Sequence, residues 1–299
     1  MDITEKLKKF TEELAGISPN KPMVEITPCR QEALDKSHGE ITVFSSKFGG
    51  VPYFPKDMEY PRVREGELEG KPIRFLAQLN FGEIPPMEGF PTDGILQFFV
   101  GCDGDDAYGL DFDNPVSQNT FRIIYHENIV SDVSRLYAAE DMPEFEDDDF
   151  PFEGEFALQF SEKKSSSVTM GDYQFDDFAR DAYNRAFGRN IKSLYGEKDS
   201  MEEDDPEFSD ALLDGDFEDD EMMEGIICDG SRIGGYPYFT QTDPREYEAD
   251  YQKYDTMLLQ IDTDEEIMWG DSGVANFFIS AEDLAKKDFS RVLYNWDCC

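Results

Sequence analysis

The residue types that carry strong chemistry are scarce or poorly spaced in this chain, which leaves carboxylates and amides as its main polar resources. There are 2 histidines, His38 and His126, and neither stands in a local signature with serine or cysteine, so triad-type nucleophilic catalysis has no support. The 5 cysteines, Cys29, Cys102, Cys228, Cys298 and Cys299, show no metal-ligand spacing. A bridge between the adjacent C-terminal pair would be strained, so free thiols are expected. With 67 acidic residues a carboxylate-only enzyme stays open, but that abundance singles out no pair. Asp103, Asp105, Asp106, Asp111 and Asp113 are close enough in sequence for a hard cation such as calcium. Ala107 and Tyr108, however, stand where a calcium loop needs a carboxylate or amide and then glycine, so exposed hairpin carboxylates are the simpler reading. No metal and no cofactor is expected, and the balance leans away from an enzyme.

Two short motifs carry more information. Ser46-Lys-Phe-Gly-Gly-Val-Pro-Tyr-Phe54 returns as Ser231-Arg-Ile-Gly-Gly-Tyr-Pro-Tyr-Phe239. Paired glycines open backbone angles closed to other residues, Pro52 or Pro237 fixes the next turn, and the aromatic pair anchors it. Lysine with serine or threonine, as in a phosphate-cradling loop, is missing, and so is the third glycine of a dinucleotide fingerprint. A structural turn is the first reading, and a loop closely approached by a ligand is the second. Gln78 and Gln260 lie at matching places in Phe75-Leu-Ala-Gln-Leu-Asn80 and Met257-Leu-Leu-Gln-Ile-Asp262, where a buried amide must find partners or face a cleft. If the two turns face one another, Gly49, Gly50, Tyr53, Gln78, Gly234, Gly235, Tyr238 and Gln260 would line one shared ligand groove.

These candidates must be positioned by β-structure. Gly94-Ile-Leu-Gln-Phe-Phe-Val100 is answered by Gly273-Val-Ala-Asn-Phe-Phe-Ile279, and Arg122-Ile-Ile-Tyr125 by Arg291-Val-Leu-Tyr294, so four blocks recur in one order. The expected fold is mainly β with peripheral helices, a β-rich α+β protein with an internally duplicated, roll-like body. Residues 1–20 form an amphipathic helix with Ile3, Leu7, Phe10 and Leu14 on one stripe. Residues 21–139 form the first β-rich repeat, with strands at 23–26, 41–44, 75–79, 95–100 and 122–125. Residues 140–225 form an acidic connector with a helix near 172–189, and 226–299 form the second repeat. In that second repeat a capping box at Ser280 and Asp283 starts a helix ending near Phe289, and a last strand over 292–296 lies inside the sheet.

Net charge is −40, from 67 acidic against 27 basic residues. That field argues against nucleic acid as a direct ligand and favours short-range attraction of a basic protein, or solubility alone. The strongest runs are 140–155 and 197–224. No continuous apolar stretch long enough for a signal peptide or a membrane span occurs, and the odd, unpatterned cysteines fit a reduced compartment, so a cytoplasmic location and no membrane are expected.

The strings Ile233-Gly-Gly-Tyr-Pro-Tyr-Phe-Thr-Gln-Thr-Asp-Pro244, Gly49-Gly-Val-Pro-Tyr-Phe54, Gly109-Leu-Asp-Phe-Asp-Asn-Pro115 and Tyr294-Asn-Trp-Asp297 resemble the YwqG-like family, a domain of unknown function, from about residue 20 onwards. The resemblance implies a mainly β duplicated roll with peripheral helices. Its context implies an immunity protein that neutralises a polymorphic toxin, by covering a basic groove with an acidic surface. The resemblance carries over no catalytic residue. The alternative reading is a small-ligand binder or enzyme using a groove between the repeats.

Overall fold

Short apolar runs cut by glycine and proline assemble into ten antiparallel strands in the computed structural model, which describes residues 1–34, 39–101, 107–145, 150–164, 167–213 and 226–298. The strands are β1 (Pro22–Cys29), β2 (Lys47–Gly49), β3 (Arg74–Asn80), β4 (Ile95–Val100), β5 (Phe121–His126), β6 (Glu155–Lys164), β7 (Arg232–Gly234), β8 (Thr256–Asp262), β9 (Val274–Ile279) and β10 (Leu293–Asp297). They form one sheet in the order β10-β9-β8-β7-β1-β6-β2-β3-β4-β5, curled into a half-barrel. The fold is mainly β. Strands β1 and β6 are the central pair, in register from Pro22 opposite Lys164 to Cys29 opposite Ala157. On either side a short strand, β2 or β7, leads into a three-strand meander. Both meanders shift register in their first strand, between Phe75 and Ala77 in β3 and between Met257 and Leu259 in β8.

Curling brings the inner faces of the two meanders together. Phe98 of β4 meets Phe277 of β9 edge-on at 4.9 Å, and Phe121 of β5 lies 5.1 Å from Tyr294 of β10. Leu76, Ala77, Leu258 and Ile279 fill the same core and are fully buried. The aromatic content is thus used to close the seam between the halves with interlocking rings. The sheet ends also touch, because Tyr294 donates its N–H to the Pro115 carbonyl and its hydroxyl to the Tyr108 carbonyl, both at 3.0 Å.

The helices stack on one side. In α1 (Ile3–Ile17) Asp2 caps the start by accepting from the Glu5 N–H, and Leu7, Phe10 and Leu14 are buried as the stripe requires. In α2 (Phe175–Phe187) Gly188 ends the helix at φ 65°, and Ala179, Ala182 and Ala186 let α1 approach closely. Two short acidic helices follow, α3 (Met201–Asp204) and α4 (Pro206–Leu213), and share one apolar cluster with α1 and α2. Two more short helices, α5 (Pro244–Tyr247) and α6 (Ala281–Ala285), sit against the β7 to β10 side.

Four expectations need correction. Residues 41–44 are a turn, because the Thr42 and Ser45 hydroxyls bond locally to backbone and to each other, which competes with strand pairing. The connector is more than a link, since it supplies β6, half of the central pair. Helix α6 starts at the expected Ser280 cap but stops at Ala285. The C-terminal strand is the last in the sheet rather than an interior one, although Leu293 and Tyr294 are fully buried.

Candidate functional site

The Gly-Gly turns are demanded by sterics. Gly49, Gly50, Gly234 and Gly235 have φ of 65°, 71°, 70° and 73°, the left-handed region that favours glycine. A Cβ on Gly49 would sit 2.3 Å from the Gly154 carbonyl oxygen, and one on Gly234 would sit 2.2 Å from that of Pro22. Each turn therefore crosses hard against the end of a central strand. Downstream, the Tyr53 N–H donates to Gln78 Oε1 at 2.8 Å and the Tyr238 N–H to Gln260 Oε1 at 2.8 Å. Gln78 Nε2 donates to the carbonyls of Val43 and Ser45, and Gln260 Nε2 to that of Gly230. Both amides are fully buried and bonded at both ends, so they brace loops from inside. Gln97 extends the first clamp to His126, whose Nε2 lies 2.8 Å from Gln97 Oε1. Burial pulls the His126 pKa from 6.5 down to about 4, so the ring is neutral and donates Nε2–H to the amide oxygen. Tyr53 is fully buried, with its hydroxyl accepting from the Val130 N–H at 2.8 Å.

The eight candidate residues separate into two groups. Gly49 lies opposite Glu155 at one end of β6, whereas Gly234 lies opposite Met23, which pairs with Lys163 near the other end. The step from Glu155 to Lys163 is roughly 26 Å at ~3.3 Å per residue. The turns do not share a groove, and the interior between them is the aromatic seam. Each instead borders a cavity of its own. The first, about 260 Å³, holds Arg74 stacked 4.1 Å over the Phe150 ring. The second, about 470 Å³, is lined by Lys21, Tyr173, Gln252 and Asp255. Lys21 Nζ sits 4.3 Å over the Tyr236 ring, and burial lowers its pKa against the opposing pull of Asp172.

On the helical side a buried cation positions an open polar surface. Arg245, 1% exposed, donates to both Asp243 carboxylate oxygens and to Asp172 Oδ2, and lies 4.3 Å over the Phe278 ring. Asp243 caps α5 and Asp172 precedes α2, so this cluster fixes the two helix starts relative to each other. From them project the exposed carboxylates Asp176 and Glu246, with Tyr195 (52% exposed) and Tyr247 (71% exposed) alongside. Partial desolvation by its neighbours, followed by the charges of Glu246 and Asp177, raises the pKa of Asp176 although its surface is open. Burial, followed by the charges of Asp176 and Glu246, also raises that of the Tyr195 phenol.

Several neighbouring cations are engaged, Lys6 with Asp205 at 2.5 Å, Arg180 with Asp177 at 2.6 Å, Arg189 with Asp204 at 3.0 Å and Lys192 with Asp199 at 2.9 Å, whereas among the described residues no ion pair engages the exposed Arg185 or Lys198. Among the described residues no ion pair engages Glu202, Glu203, Glu207 or Asp210, all exposed. On this face exposed acids outnumber the free cations beside the tyrosines. Sequence reasoning named 197–224 but missed Asp176, Tyr195, Glu246 and Tyr247. The Asp-Pro-Arg string at 243–245, a helix start with a cation in its first turn, was the available signal.

Other candidates give less. Asp111 accepts from the N–H groups of Asp113 and Asn114, a local turn, while Asp103, Asp105 and Asp106 lie outside the described residues, as do His38, Cys102, Cys299 and residues 146–149 and 214–225. Among the described residues no group of three or more His, Cys, Asp or Glu side chains could hold a metal ion. Cys29, Cys228 and Cys298 are free thiols. No helix among the described residues is long and apolar enough to cross a membrane. Compared with known families, residues 46–298 match one described as a domain of unknown function, DUF1963. No curated protein matches the chain.

Proposed function

This chain belongs to the DUF1963 family, and on that premise we propose that it is a binding protein whose acidic helical face captures a basic protein. The supporting observation is the set of exposed carboxylates without an ion-pair partner near Tyr195 and Tyr247, on a surface where Lys6, Arg180, Arg189 and Lys192 are already bound and the free cations Arg185 and Lys198 are outnumbered. Tyrosines give anchoring area at low entropic cost, and the surrounding charge steers and orients an oppositely charged partner. Within this reading the protein is a cytoplasmic, YwqG-like immunity factor, and its partner is a toxin with a basic groove. The two halves of the sheet descend from one duplicated unit. Matching strand order, matching register shifts and matching amide clamps support that descent.

The test is titration with a basic protein whose gene neighbours this one. Affinity should weaken at least about tenfold between ~0.1 M salt, where exposed charge reaches ~10 Å, and ~1 M, where it reaches ~3 Å. Salt-independent binding, or none, would remove the reading. A small-ligand role is favoured at the cavity beside Gly234 and Gly235, where Lys21 presents an amine at the wall.

A further inference from the structure

We propose that the outer edge of β6 at Phe160 and Glu162 is a strand-addition site for an extended, basic peptide segment of the partner. The proposal rests on the acidic capture reading and adds how part of that partner is held.

The two central strands are each accompanied by a short neighbour for only part of their length. On β6 the last contact is the Leu158 N–H donating to the Ser46 carbonyl at 3.2 Å, and on β1 it is the Ile26 N–H donating to that of Ser231 at 2.9 Å. Backbone groups alternate sides along a strand, so the next outward-facing residues are Phe160 and Glu162 on β6 and Pro28 on β1. Pro28 has no N–H and blunts its edge in the way natural sheets protect open strands. Among the described residues nothing comparable protects β6. Among the described residues no hydrogen bond reaches the N–H of Phe160 or Glu162, and residues 161–163 are exposed.

A cleft of about 650 Å³ runs beside this edge, between residues 157–160 and the segments at 39–41 and 82–85. Among the described residues its charged lining is Glu40 and Glu83, with no cation, and Glu83 Oε2 already accepts from the Ser46 N–H at 2.7 Å. Glu162 adds a third carboxylate at the edge, and Lys163 is tied to Glu25 at 2.5 Å. An added strand would bond its backbone to the open N–H and C=O groups and place alternate side chains into the cleft, where lysine or arginine meets carboxylate. A second copy of this chain is disfavoured as occupant, because each copy carries −40.

The probe is an acetylated peptide of alternating lysine and valine, followed by residue-resolved amide exchange on the whole protein. The expected result is slowing of Phe160 and Glu162 exchange by at least roughly tenfold, absent with the N-methylated peptide, and at least roughly tenfold weaker binding in Glu162→Pro. If Glu162→Pro does not fold, the N-methylated peptide on the natural protein decides alone. Salt-sensitive binding without protection at these amides overturns strand addition and leaves the acidic face standing. Slow exchange there in the free protein, or protection that rises with protein concentration alone, also overturns it. No binding at low salt removes both readings.

Discussion

Gly49 and Gly234 would react to alanine differently from an ordinary loop glycine, because the added Cβ meets a backbone carbonyl that cannot swing aside. Gly49→Ala should therefore destabilise by at least ~2 kcal/mol, combining left-handed strain with the clash, whereas Gly66→Ala, with no atom within 4 Å, should cost only its backbone strain. Urea midpoints measure both. Gln78→Leu and Gln260→Leu should each cost ~1–3 kcal/mol, since a buried N–H and buried carbonyls lose their partner. Unchanged stability in either variant would return that amide to the list of ligand contacts. His126 makes a pH prediction of definite sign. Between 6.5 and about 4 the unfolded chain takes up a proton that the native ring refuses, so stability falls as pH drops through that window. The shift is worth on the order of 3 kcal/mol, and the difference between wild type and His126→Gln, measured across the window, isolates it from the carboxylates.

Among the elements, the buried cation holding α2 to α5 is the most vulnerable joint. Arg245→Met strands Asp172 and Asp243 without their partner and should cost ~3–5 kcal/mol, while replacing all three with Arg245→Met, Asp172→Asn and Asp243→Asn should recover much of it. Thermal midpoints of the single and triple variants compare the two. Legibility in the sequence divides along similar lines. Helices α1 and α2 were readable because their buried residues recur with helical spacing, and β3, β4, β8 and β9 because they are buried almost throughout and read as apolar runs. Strand β6 was hidden because it begins inside an acidic run and its last residues, Ser-Glu-Lys-Lys, carry no apolar signal, being the exposed edge itself. The turn motifs were legible as turns, but the separation of their two cavities was not, since it depends on β1 and β6 being antiparallel. The acidic face needed the Arg245 cluster, which joins positions 73 residues apart in sequence.

At the scale of the molecule, an excess of 40 negative charges repels itself in the compact state, so added salt should raise the thermal midpoint before any partner is present. That same excess is not spread evenly in its consequences. The seam between the halves is apolar and closed, so the proposed capture would use the outside, where the helical face carries exposed acids beside two exposed tyrosines. The most direct test of this account replaces Asp176→Asn, Glu202→Gln, Glu203→Gln and Glu246→Gln together, at exposed positions whose loss should leave the fold intact by circular dichroism. Affinity for the basic partner at ~0.1 M salt is then compared with wild type. The account predicts a loss of at least about tenfold, carried mainly by slower association. Equal affinity in the folded variant would contradict it.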